Sequence, residues 1–127
     1  MPLKSLVYTA ETINGERISI DSLIRAGKKV VIDFSGTYCG PCWAIHKRGT
    51  AEKLWQKYGP DGSNELYFIW VEATGASRDK IEGRGSGTQG DWTNGGTVPY
   101  PIVSDAYMAD ALGIPITTVP KVVLLSA

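Results

Sequence analysis

Apolar residues in this chain gather in a few short, nearly continuous runs, divided by polar stretches whose large side chains recur at roughly helical spacing. Lys29-Val30-Val31-Ile32-Asp33-Phe34-Ser35 is β-branched and almost uninterrupted, which predicts a central strand buried on both faces. Glu65-Leu66-Tyr67-Phe68-Ile69-Trp70-Val71 has the same texture, and Pro120-Lys121-Val122-Val123-Leu124-Leu125 predicts a further strand. Near the start, Ile18 and Ile20 alternate with polar neighbours behind an Asn14-Gly15 pair, the pattern of a tight hairpin turn feeding a half-buried strand. Asp21 or Ser22 can cap a short helix over Leu23 to Ala26 that Gly27 ends. Trp43, Ile45, Leu54, Trp55 and Tyr58 predict one helix from about Gly40 to Tyr58, stopped by Gly59-Pro60. A strand at Pro101-Ile102-Val103 and a helix over Ala106 to Leu112 complete the regular elements.

Between Gly75 and Val98 the texture changes. Seven of the chain's fifteen glycines lie there, among Ser, Thr and Asn, with few aliphatics. This predicts a long loop with one short helical turn near Ser77 to Ile81. Trp92 is anomalous in so polar a segment: it either plugs the loop onto the body or offers an aromatic contact to a partner. Strands alternating with helices predict an α/β fold with a sheet covered on both faces, and 127 residues suit one domain spanning the whole chain.

Composition narrows the function classes. Thirteen basic residues balance thirteen acidic ones, so no global field favours nucleic acid or an acidic membrane surface. The apolar runs are too short to span a bilayer. Met1-Pro2-Leu3-Lys4-Ser5 lacks the charged and apolar regions of a leader, which leaves a cytoplasmic protein or one whose signal or anchor is not in this chain.

The two cysteines carry the chemistry. Cys39-Gly40-Pro41-Cys42 closes a loop so small that a bridge adds little to stability. A structural zinc wants about four ligands, whereas His46 is the one further candidate of the usual kind and brings the total to three. Thiol–disulfide exchange fits better, because the motif falls between a buried strand and a helix start. Backbone N–H groups and the helix dipole stabilise a thiolate there. Cys39 is then the attacking nucleophile, and Cys42, one turn inside, resolves the mixed disulfide. Gly40 allows the tight entry, and Pro41 occupies the first turn, where its missing N–H costs nothing. No nucleotide, flavin or metal signature is present, so electrons must come from a partner's thiols.

The stretch from Asp33 to Trp43 resembles the active-site segment of the thioredoxin superfamily. Residues 14–31 resemble the N-terminal hairpin of its TlpA-like and ResA-like branch. The resemblance implies a thioredoxin fold: a central mixed sheet flanked by helices, an N-terminal hairpin, and a family-specific last strand and helix missing after Ala127. A longer native chain, a swapped segment or a dimer partner would then supply the missing cover. It implies that Asp33 handles the proton of Cys42, and that Val119-Pro120 is a cis bond facing the sulfurs. Tyr38, Gly40, Pro41, Trp43, Val119 and Pro120 form the substrate-contacting rim. It also implies disulfide-containing protein substrates, a thiol electron donor and an extracytoplasmic or periplasmic setting. The chain departs from the family at Tyr38, where Trp is usual, at Lys121, where Thr is usual and a cation would stand near the groove, and throughout residues 75–98. Asp33 could alternatively be a core acid, Glu72 a second acid near the pair, and His46 an exposed helical histidine. A redoxin-type peroxidase would need a Pro-x-x-x-Thr-x-x-Cys pocket, which Ser35-Gly36-Thr37-Tyr38 does not supply. A binding module that keeps only the fold would have no use for intact cysteines.

Overall fold

A computed structural model describes residues 6–127; the stretch inspected for a leader lies outside them. Strand β1 (Thr9–Glu11) and β2 (Arg17–Ser19) form an antiparallel hairpin. Its turn is one residue longer than a two-residue hairpin, closed by Thr12 N–H to Glu16 O at 2.8 Å and by Gly15 N–H to Thr12 O at 2.9 Å. Helix α1 (Ile20–Arg25) starts earlier than the pattern predicts. Its cap is Ser19, whose side chain accepts from the Ser22 N–H, rather than Asp21 or Ser22.

Four strands form the central mixed sheet, in the order β5 (Ile102–Ser104), β4 (Leu66–Glu72), β3 (Lys29–Ser35), β6 (Lys121–Leu125). Strands β3, β4 and β5 run parallel, and β6 is antiparallel to β3. The period of two sorts side chains into two cores. Val30, Ile32, Phe34, Ile69 and Val71 face one layer with Ile20, Ile24, Met108 and Leu112. Val31, Phe68 and Trp70 face the other, with Trp55, Cys39 and Cys42. Asp33 pairs in register with Trp70 and so shares the face of the cysteines. On the edge strand β6, Val122 and Leu124 are more than half exposed.

The helix expected over residues 40–58 is two helices, α2 (Gly40–Lys47) and α3 (Thr50–Tyr58). Gly49 caps α3 with φ +71°, a left-handed conformation that ends the first helix and turns the chain. Helix α4 (Arg78–Ile81), capped by Ser77, is the short turn expected in the glycine-rich segment, and α5 (Met108–Ala111) is shorter than its pattern suggests. Among the described residues no helix is long and apolar enough to cross a membrane.

Candidate active site

Strand β3 delivers the chain to the site. After Ser35, a turn over residues 36–38 leads to Cys39, the N-cap of α2. Two parallel-strand ends hold this turn, because Ser35 is in register with Glu72. The wholly buried Glu72 carboxylate accepts the Thr37 N–H at 2.6 Å and both the N–H and hydroxyl of Thr74, at 2.6 and 2.5 Å. Glu72 thus holds the turn that leads from β3 to Cys39 and the one that follows β4.

Cys39 and Cys42 are joined in a disulfide, with Cα atoms 5.2 Å apart. The Cys39 sulfur accepts the Cys42 N–H at 3.2 Å. This is an orphan donor of the helix start directed at the atom that would carry negative charge. Cys39 and Cys42 are 5% and 4% exposed, so both sulfurs lie in a shallow recess. Around it Tyr38, Gly40 and Pro41 are exposed, while Trp43, Val119 and Pro120 are half-buried. The Val119–Pro120 peptide is cis, as the resemblance implies, and Val119 O lies 3.7 Å from the Cys39 sulfur. The Lys121 ammonium keeps its charge and donates to Pro115 O at 2.8 Å.

Asp33 is 7% exposed, and its Oδ1 has no hydrogen-bond partner among the described residues. Burial pushes its pKa from 3.8 up to about 6. A small cavity of about 10 Å³ is lined by Asp33, Cys42, His46, Trp70 and Tyr100, among others, so the acid and the resolving cysteine share one space.

Residues 75–98 form the far wall. Trp92 is 1% exposed, packing against Trp70 at 5.0 Å between ring centroids, edge-on to Trp43 at 4.8 Å, and beside His46 at 5.2 Å. Of the two roles open in the sequence, the plug is the one observed. The loop then reaches the redox turn itself: Gln89 donates from its backbone to Thr37 O at 2.8 Å and from its side chain to Tyr38 O at 2.9 Å. Gly90 lies so close to Trp43 that an added Cβ would stand 2.7 Å from the ring. Tyr38, the departure from the family, is thus held by the segment that also departs from it. His46 is not an isolated exposed residue either. It is half-buried, stacked on Trp43 at 5.1 Å and bonded to Asn94 at 2.9 Å. Tyr100 and Gln89 carry no motif in the sequence; only the fold brings them here.

No family model matches the chain. A thioredoxin from Coprinus comatus is 39% identical over 57 residues, which are 45% of this chain and 49% of that protein. The chain thus matches about half the length of this curated relative. Two solved structures share the fold. A secreted Mycobacterium tuberculosis disulfide oxidoreductase, homologous to E. coli DsbE, superposes with a TM-score of 0.67 at 17% identity, covering 97% of this chain and 78% of that one. StoA from Bacillus subtilis gives 0.64 at 20% identity, covering 94% and 78%.

Proposed function

We propose that this chain, a thioredoxin-superfamily protein that resembles the TlpA-like and ResA-like branch, is a thiol–disulfide oxidoreductase that reduces protein disulfides through Cys39 and Cys42. The observation that carries this reading is the Cys39 sulfur at the N-cap of α2, receiving the Cys42 N–H at 3.2 Å. A thiolate gains there from both the hydrogen bond and the helix dipole.

The reaction needs no cofactor. The Cys39 thiolate attacks one sulfur of a substrate disulfide, forming a Cys39–substrate bond, and the other substrate sulfur leaves as a thiolate that takes a proton from water. Asp33 then accepts the proton of the Cys42 thiol; with its pKa raised to about 6, the carboxylate is populated at neutral pH and still a competent base. The Cys42 thiolate attacks the Cys39 sulfur, closes the disulfide and expels the second substrate thiolate. Two electrons have passed to the substrate, and a dithiol of a donor protein returns them. The exposed Tyr38, Gly40 and Pro41, with Val119 and Pro120 opposite, suit an extended peptide lying across the sulfurs.

Insulin reduction with dithiothreitol as donor tests the reading. The wild-type protein should accelerate precipitation of the insulin B chain, and Cys39→Ser should reduce the rate to that of dithiothreitol alone. Equal rates for the two proteins would overturn it.

A further inference from the structure

Asp33 must return the proton it takes from Cys42, yet it is buried and its Oδ1 meets no partner among the described residues. Besides Cys42, the titratable side chains that line its cavity are Tyr100 and His46. Resting on the dithiol reading above, we propose that Tyr100 and His46 form a proton relay that connects the cavity of Asp33 and Cys42 to solvent.

The orientation of the relay follows from hydrogen-bond chemistry. Asn94 Nδ2 donates to Glu52 Oε1 at 2.9 Å, and a carboxylate can only accept. The Asn94 carbonyl oxygen therefore faces His46, at 2.9 Å from Nε2, and Nε2 must carry the hydrogen. That leaves Nδ1 as the lone-pair nitrogen of the neutral ring, and Nδ1 is the atom 3.5 Å from the Tyr100 hydroxyl. The basic nitrogen is thus aimed inward, toward the cavity, and fixed there by Glu52 of α3 through a loop residue. The cavity, about 10 Å³, has room for roughly one water molecule, enough to bridge Asp33 to the Tyr100 hydroxyl.

Other charges around the ring favour the same role. Asp91 of the loop feels the charge of His46, Glu52 lies beyond Asn94, and Asp33 stands across the cavity. All three carboxyl groups would face a transient imidazolium. Burial, then the charges of Glu52 and Asp33, hold the Tyr100 hydroxyl well above its ordinary value, so it stays protonated and passes protons without ionising. Trp43 stacks on the imidazole and Trp92 lies tilted beside it. In the forward direction, protonated Asp33 gives its proton through water and the Tyr100 hydroxyl to His46 Nδ1. The imidazolium gives up its Nε2 proton to water at the exposed Asn94 side, after which the ring regains its starting tautomer by exchange with solvent. Protons balance, and no electron moves.

The test uses 5,5′-dithiobis(2-nitrobenzoate) with the reduced protein in a stopped-flow instrument. The first nitrothiolate release reports attack by Cys39, and the second reports resolution by Cys42. His46→Gln retains a donor for Asn94 but cannot take a proton, and Tyr100→Phe keeps the ring against Phe68 while removing the hydroxyl. At about pH 6 and below, where Asp33 starts protonated and must empty before it can take the Cys42 proton, each should slow the second release by about tenfold, less than the hundredfold typical of a group that takes the proton directly. The first release should be unchanged. A second release at the wild-type rate in both variants would overturn the relay. So would equal slowing of both releases, which would mark a packing effect. Cys39→Ser separates the two levels: if it still gives a fast first release, the dithiol reading itself fails, whatever the relay variants do.

Discussion

Asp33→Asn in the oxidised protein isolates the cost of burying an ionisable carboxyl. Burial pushes the Asp33 pKa from 3.8 up to about 6, so the folded protein holds this proton more tightly than the unfolded chain does. The sign follows from that order. Stability from this group is intact below about pH 4, declines as pH rises toward 6, and stays at the lower level above it. A displacement of about two pH units corresponds to about 3 kcal/mol, at 1.36 kcal/mol for each. Asparagine removes the slope but leaves a buried amide, which costs roughly 1–3 kcal/mol at every pH if it finds no partner. The pH-dependent part is therefore the quantity to measure. Urea unfolding at about pH 3.5 and about pH 8, with the Cys39–Cys42 disulfide intact in both proteins, should show the variant gaining about 2–3 kcal/mol on wild type between the two conditions. A stability difference that stays constant over that range would refute the account of Asp33 as a buried acid whose charge is costly.

Cys42→Ser should complete the first attack but not resolution, so mixed disulfides on Cys39 should accumulate and be visible by non-reducing gel and mass spectrometry; free protein alone would show that Cys39 does not attack first. Gly90→Ala should cost about 1–3 kcal/mol in urea unfolding, because its Cβ would meet the Trp43 ring at 2.7 Å while Trp92 and His46 hold that ring in place. Trp92→Ala should cost about 3–5 kcal/mol, as expected for a large side chain removed from a core, and should weaken the near-ultraviolet circular dichroism of the Trp43–Trp70–Trp92 cluster. Replacing residues 83–96 by a short linker should for the same reason destabilise the whole protein, where a loosely attached loop would have left folding intact.

The parts of the fold visible in the sequence are those whose signal is local. Strands β3 and β4 are buried on both faces, so their runs are continuous, and the redox pair lies within four residues between a strand and a helix start. The break at Gly49 was hidden because large side chains recur at helical spacing on both sides of it, and only the left-handed φ of one residue separates the two helices. Ser19 was missed as a cap because the alternation of Ile18 and Ile20 extends a strand pattern through it. The site's outer parts were less legible for a different reason. Glu52, Asn94, His46 and Tyr100 come from α3, the loop, α2 and the segment before β5, and no spacing joins them. Trp92 could be recognised as out of place but not assigned, because its partners Trp43 and Trp70 lie on α2 and β4, far from it in the chain.

The thiolate at the N-cap of α2 is the claim on which the account stands, and pH-dependent alkylation of the reduced protein tests it most directly. Iodoacetamide labelling, followed by peptide mass analysis at each pH, should modify Cys39 well before Cys42, with a midpoint below the ~8.5 of a free cysteine. Faster labelling of Cys42, or a Cys39 midpoint at or above that of a free cysteine, would contradict it.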